Sequence, residues 1–302
     1  MPFYLYLLGY HQADQEFIQT LLKVFPQLKI ISQTSQKLQA CDFIVLLQMD
    51  TKDQSPSQIK TSHSEWQAIK ELLLNGPFDF IKSNYLLRLP KLVVFDMDST
   101  LIPVEVIDRL AAKAGVESKV ATITEAAMRG ELDFNQSLIE RVKLLKGLPQ
   151  NSIGQIAQEL TFNPGIVELC EYLLVAKAKL AIASGGFMPF AQQLQKSIPF
   201  AKIKANQLAL NNQQLSGEVD GIIINAEEKA KALKLWTKEY ALSPRQTMAV
   251  GDGANDLKML QQAGLGIAYH AKPKVNQAAD AVIQHGEINA LVDLFEQLEQ
   301  LN

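Results

Sequence analysis

Cysteine is scarce in this 302-residue chain: Cys41 and Cys170 are its only two, far apart and without the spacing of a metal site. That excludes a disulfide scaffold and a thiolate zinc site, and fits a reduced, cytoplasmic protein. Charge of one sign is also lacking. Lys and Arg total 29 against 32 Asp and Glu, a net charge of −3, which gives no electrostatic case for nucleic acid or an anionic membrane surface. No apolar run approaches the length of a membrane span. Histidine is sparse, and His11 and His63 stand alone and read as surface residues. The opening Met-Pro-Phe-Tyr-Leu-Tyr-Leu-Leu has no basic leader, and Gly9-Tyr10-His11 soon interrupts it, so it reads as a strand and not as a signal peptide. What remains is an ordinary globular composition, 47% hydrophobic with a mean hydropathy of 0.00, in a chain long enough for two domains.

What is present is organised around Leu92-Val93-Val94-Phe95-Asp96-Met97-Asp98-Ser99-Thr100. A short apolar run closed by polar residues predicts a buried strand of a parallel sheet. Ligands of open α/β sheets bind beyond the carboxyl ends of such strands. Two carboxylates held this close need a compensating cation or a shared proton. Mg²⁺ suits the site because it accepts one or two carboxylates and bridges to phosphate. One carboxylate can then attack phosphorus, and the other can protonate the leaving oxygen and later activate water.

Residues 1–85 read as a separate small α+β unit. Strand-like stretches at Phe3–Leu8, Leu28–Ser32, Phe43–Gln48 and Phe78–Ile81 alternate with helical spacing over Asp14–Phe25 and Ser64–Leu74. The order β-α-β-β-α-β is that of a ferredoxin-like sandwich, and the pattern looks like the ACT-type domains that bind amino acids. A structural appendage, or one that forms a homodimer, fits the pattern equally well. Asn84–Lys91 is the expected linker.

The remainder, 90–302, reads as an α/β domain. Residues 104–162 are helical throughout and are expected to form a cap inserted into a core of 90–103 and 163–302. Lys179–Ala183 predicts a second core strand, ending in Ser184-Gly185-Gly186-Phe187 before a helix, a pattern suited to phosphate. Gln207–Leu210 and Gln214–Val219 predict a hairpin. A helix from Asn225 to Trp236 carries Lys229, Lys231 and Lys234, one of which could neutralise a phosphate. Thr247–Val250 predicts a third strand, running into Gly251-Asp252-Gly253-Ala254-Asn255-Asp256, an oxygen-rich stretch suited to a divalent cation.

These motifs together resemble the haloacid dehalogenase-like superfamily: Asp96-Met97-Asp98-Ser99-Thr100, Ser184-Gly185-Gly186, Lys229, and Gly251-Asp252-Gly253-Ala254-Asn255-Asp256. In finer detail the chain resembles the phosphoserine phosphatase family through Met128-Arg129-Gly130-Glu131-Leu132, Phe134-Asn135-Gln136-Ser137-Leu138, Arg141-Val142, Ser184-Gly185-Gly186-Phe187 and Ala271-Lys272-Pro273. The resemblance covers about residues 90 to 290 and implies a Rossmann-like (Rossmannoid) parallel core with a helical cap. It implies Asp96 as nucleophile and Asp98 as general acid-base. Mg²⁺ would be held by Asp96, Asp252 and the main-chain carbonyl of Asp98, with Asp256 behind them. Ser184, Gly185, Lys229 and Asn255 would cradle the phosphoryl group. Glu105 would pair with the substrate ammonium and Arg141 with its carboxylate, while Met128 and Phe134 exclude water. The implied activity is hydrolysis of O-phospho-L-serine, the last step of serine synthesis. The alternatives are phosphoryl transfer to another alcohol, or action on another small phosphorylated amino acid or alcohol, with the N-terminal unit as an amino-acid sensor.

Overall fold

The computed structural model describes residues 3–11, 15–34, 38–49 and 59–300. It begins with β1 (Tyr4–Gly9), α1 (Gln15–Val24), β2 (Leu28–Gln33), β3 (Phe43–Met49), α2 (Ile59–Leu74) and β4 (Asp79–Ser83). The strands lie in the order β2-β3-β1-β4, every neighbouring pair antiparallel, which is the ferredoxin-like order the sequence predicts. β1 and β3 are almost wholly buried because their runs, YLYLLG and FIVLLQM, are apolar on both faces. The expected helix start at Asp14 falls outside the described residues, as does the side chain of His63; His11 is exposed.

β5 (Leu92–Phe95) follows, then four helices: α3 (Val106–Ala114), α4 (Glu117–Met128), α5 (Phe134–Lys143) and α6 (Asn151–Gln158). No strand lies among them, in line with the expected helical insertion. α3 stops where Gly115 takes a left-handed conformation, φ 68°, and its N–H caps the carbonyls of the last turn. α5 starts with a capping box: Asp133 accepts from the Gln136 amide, and the Gln136 side chain accepts from the Asp133 amide. The chain continues through α7 (Ile166–Val175), β6 (Lys179–Phe187), α8 (Met188–Gln195), β7 (Lys202–Asn211), β8 (Gln214–Asp220), α9 (Ala226–Glu239), β9 (Thr247–Gly251) and α10 (Leu257–Gln262). Here the strands order β9-β5-β6-β7-β8, parallel except for the β7-β8 hairpin. The hairpin turns on Asn212 and Gln213, both at positive φ, the geometry that matches strand twist in a two-residue turn.

The second strand differs from its expectation. β6 does not end at Ala183 but runs on through Ser184-Gly185-Gly186 to Phe187, with an irregular register against β7 between Ala183 and Phe187. α8 therefore begins four residues beyond Ser184.

The last elements are β10 (Leu265–Tyr269), α11 (Pro273–Ala278), β11 (Ala281–Ile283) and α12 (Ala290–Gln300). By packing, the chain divides into one unit of Met1–Leu89 with Ile267–Asn302 and a second of Pro90–Gly266. The C-terminal stretch, grouped by sequence with the 90–302 domain, thus packs with the N-terminal unit. β11 pairs antiparallel with β4, Ala281 opposite Ile81. Two buried carboxylates fasten this arrangement. Asp79 accepts from the amides of Gln284, His285 and Gly286 and from the Tyr10 hydroxyl. Asp293 accepts from the amides of Gln39, Ala40 and Cys41. Lys70, also buried, donates to the carbonyls of Gln277 and Ala279. No helix among the described residues is long and apolar enough to cross a membrane.

Candidate active site

Register brings the motifs together. In β5, Phe95 stands opposite Val250 of β9 on one side and Ile182 of β6 on the other. The next residues along each strand, Asp96, Gly251-Asp252 and Ala183-Ser184, therefore emerge at one level of the sheet. The Asp96 amide continues the ladder by donating to the Val250 carbonyl at 2.9 Å. β5 is apolar and buried at all four positions, so its polar continuation is carried to the sheet end by the packing of Leu92-Val93-Val94-Phe95.

At that level three carboxylates converge. Asp96, Asp252 and Asp256 each offer an oxygen, and these oxygens lie within 4.8 Å of one another. All three side chains are buried, Asp96 5% exposed and Asp252 7%. A buried lysine pairs with two of them. Lys229 Nζ, with no solvent exposure, lies 2.8 Å from Asp96 Oδ2 and 2.7 Å from Asp256 Oδ1. Burial pulls the lysine down, but Asp256 and Asp96 more than offset it and hold its pKa above the ordinary value. The carboxylates remain under-compensated. Burial, reinforced by Asp96, Asp256 and Glu105, pushes Asp252 up to about 7 against the hydrogen bond from Thr100. Burial and Asp96 push Asp256 up to about 6 although Lys229 pulls the other way. Three oxygen ligands with a deficit of positive charge are the donor set of a hard divalent cation.

Asp98 is held differently. Its Oδ1 accepts from the Val106 amide at 3.3 Å, at the start of α3. Burial, then Glu105, then Asp96 raise its pKa well above the usual carboxylate range. A carboxyl held toward its protonated form is what a general acid requires. Between the two aspartates and Glu105 the chain is strained: Ser99 sits at φ 58°, a left-handed conformation rare for a residue with a side chain, and its hydroxyl donates to Glu105 Oε1 at 2.9 Å.

The Ser-Gly-Gly stretch earns its glycines by close approach. A Cβ on Gly185 would lie 2.7 Å from the Phe134 ring, and one on Gly186 would lie 2.5 Å from Asp98 Oδ2 and 2.6 Å from Met97 Cε. Phe134 of α5 thus covers Gly185. The Ser184 hydroxyl accepts from the Gly186 amide at 2.9 Å.

Arg141, on the same helix, has its Nε tied to the Ser137 carbonyl at 3.2 Å. Burial lowers its pKa, while Glu105, Asp108 and Asp98 act in the opposite sense, which places the guanidinium within the field of the same acids. The structure thus gathers Asp96, Asp98, Glu105, Asp252, Asp256 and Lys229, with Phe134 against Gly185, Asn255 beside Gly185 and Gly253, and Arg141 near Glu105. Met128 is not gathered in: it stands at the end of α4, 69% exposed.

Several supporting residues were given no role of their own by the sequence. Thr100, fully buried, donates to Asp252 Oδ1 at 3.1 Å. Asn206 of β7 donates to the Gly185 carbonyl at 2.7 Å and accepts from the Ile224 amide at 2.8 Å. Asn163 donates to the Thr100 carbonyl at 2.8 Å. Asn225 caps α9, the helix bearing Lys229, and also donates to Asn135 Oδ1 of α5 at 3.1 Å. Lone asparagines in strands and loops have no periodicity to betray them, and of these Asn206 is buried while Asn163 and Asn225 are half-buried.

Residues 90–264 match the model of the haloacid dehalogenase-like hydrolases, and the chain belongs to that family. Its relatives narrow the class. It is 42% identical over 247 residues to the phosphoserine phosphatase of Haemophilus influenzae, covering 76% of this chain and 79% of that one. It is 48% identical over 195 residues to a probable phosphoserine phosphatase of Schizosaccharomyces pombe; the match covers 64% of this chain and 65% of the relative, just under two thirds of its length. Among solved structures, a haloacid dehalogenase family hydrolase of Salmonella enterica superposes with a TM-score of 0.81 at 28% identity, covering 98% of both chains. A phosphoserine phosphatase carrying a phospho-aspartyl intermediate analogue superposes with a TM-score of 0.64 at 36% identity, covering 68% of this chain and 99% of that one.

Proposed function

We propose that the protein is a Mg²⁺-dependent phosphoserine phosphatase that hydrolyses O-phospho-L-serine through a phosphoryl group carried on Asp96. The observation that carries this reading is the buried group of Asp96, Asp252 and Asp256, with Lys229 paired to Asp96 and Asp256 and a proton-retaining Asp98 beside it. The relatives' activities point the same way.

Asp96 attacks phosphorus, and the bond between phosphorus and the serine oxygen breaks. Asp98 gives its proton to that oxygen, so serine leaves neutral at the hydroxyl. Asp98, now ionised, takes a proton from the water that attacks the phosphoryl group on Asp96, and inorganic phosphate departs. Lys229, the Ser184 hydroxyl, the Gly185 amide and Asn255 hold the phosphoryl oxygens. Asp96, Asp252 and the Asp98 carbonyl would hold Mg²⁺, with Asp256 supporting from behind. When bound, the cation supplies the missing positive charge for carboxylates and phosphate together.

Specificity comes from the helical insertion, acting as a cap. Glu105 pairs with the substrate ammonium and Arg141 presents its fork to the carboxylate, while Phe134, and Met128 once the cap closes, exclude water. In this reading the enzyme is cytoplasmic and closes the serine synthesis route. The N-terminal unit is an ACT-like module serving regulation or a homodimer contact, a role supported by its ferredoxin-like strand order.

Arg141→Ala tests the substrate. Loss of one charged pair should lower kcat/KM for phosphoserine about 10²-fold or less, as expected for about 1.5–3 kcal/mol, and leave phosphoethanolamine, which has no carboxylate, within a few-fold. Wild-type rates on phosphoserine in the variant would exclude the assignment.

A further inference from the structure

The helix that carries Phe134 and Arg141 holds one more polar group that nothing in the proposed chemistry uses. Ser137 lies one turn after Phe134 and one turn before Arg141, so the three share a side of α5. It is 1% exposed, yet its hydroxyl has no hydrogen-bond partner among the described residues. This is unusual on two counts. A buried hydroxyl ordinarily finds a partner. A helical serine also has a local acceptor at hand, the carbonyl four residues back, and here that carbonyl, of Asp133, receives only the Ser137 amide. The Ser137 carbonyl, meanwhile, anchors Arg141 through Nε. With Nε so engaged, the guanidinium keeps its two terminal nitrogens for an incoming anion.

We infer that Ser137 is a third donor to the substrate carboxylate, its hydroxyl completing a site whose other two donors are the terminal nitrogens of Arg141. A carboxylate has about four lone-pair sites and accepts a hydroxyl readily alongside a bidentate arginine. The orphaned hydroxyl would then be satisfied only in the substrate complex, which is how a buried group comes to favour one ligand over its analogues. The inference rests on the phosphoserine reading above and deepens it.

The test compares phosphoserine with phosphoethanolamine, which keeps the phosphate and the ammonium and lacks the carboxylate. Both are measured on wild type, Ser137→Ala and Ser137→Cys, the second variant holding the side-chain volume while weakening the donor. The expected result is a KM for phosphoserine raised about tenfold in both variants, with kcat within twofold and phosphoethanolamine unchanged. The melting temperature of Ser137→Ala should equal or exceed wild type, since an unsatisfied buried hydroxyl has been removed. Unchanged phosphoserine kinetics in both variants, or parallel losses on both substrates, would overturn the role given to Ser137 while leaving the substrate reading intact. A wild type with no preference between the two substrates would overturn that reading and this inference with it.

Discussion

Both packing units of this molecule bury aspartates, and they do so in opposite ways. In the unit of Met1–Leu89 and Ile267–Asn302, Asp79 receives three backbone amides and a tyrosine hydroxyl, and Asp293 receives three backbone amides. Each is supplied with donors by the chain. In the unit of Pro90–Gly266, Asp96, Asp252 and Asp256 face one another, and Lys229 pairs with Asp96 and Asp256 but not with Asp252. Burial first, and then the neighbouring carboxylates, push Asp252 up to about 7 and Asp256 up to about 6. A carboxylate that holds a fold together is given its donors by the chain. A carboxylate that handles a cation and a phosphate is left short of them, and the shortfall is the binding site.

The contrast can be broken most sharply at Asp96. Asp96→Asn should lower phosphate release by more than about 10³-fold, as expected for loss of a nucleophile. It should leave the melting temperature at or above wild type, because one of three repelling carboxylates is neutralised. Retained turnover would remove Asp96 as nucleophile. At Asp79 the signs reverse. Asp79→Ala strands three backbone amides and the Tyr10 hydroxyl, and should cost about 3 kcal/mol in denaturant unfolding. Phosphate release below the unfolding transition should stay within twofold. Stability equal to wild type would mean that the buried acid is not the fastener described here.

A smaller effect sharpens the difference through pH. The folded pKa values of Asp252 and Asp256 lie above those of an unfolded chain, about 3.9. The folded site therefore holds protons that the unfolded chain releases, and its cost to stability grows as pH rises toward about 7. Mg²⁺ needs these groups ionised and must displace the protons. The rise in melting temperature produced by Mg²⁺ should therefore increase by a few degrees between pH 5 and pH 8, both set about one unit outside the two values. A Mg²⁺ effect that falls as pH rises would contradict the assignment of these carboxylates as the cation site.

The same comparison explains what was legible in the sequence. The catalytic side announces itself, because three of its motifs end apolar runs: Phe95 before Asp96, Val250 before Gly251-Asp252, Ala183 before Ser184. Strand packing fixes where those runs lie, and register does the rest. The four helices between β5 and α7 were equally legible from their periodicity. The fastening side was not. Asp79, between Phe78 and Phe80, and Asp293, between Val292 and Leu294, resemble any solvent-facing acid in an alternating or amphipathic stretch. Their partners are backbone amides, which have no sequence signature, so the association of Ile267–Asn302 with the N-terminal unit could not be read. β6 ran past its expected end for a similar reason. The glycines at its end are there so that Phe134, Asp98 and Met97 can approach the backbone.

The most direct test of the account is phosphate release by the wild-type protein with Mg²⁺, measured on phosphoserine, glycerol phosphate and a nucleotide, before and after chelation. The account predicts rapid release from phosphoserine, at least about 10²-fold slower release from the other two as two charged contacts are lost, and no turnover once the cation is removed. Equal rates on all three substrates, or full activity in chelator, would contradict it.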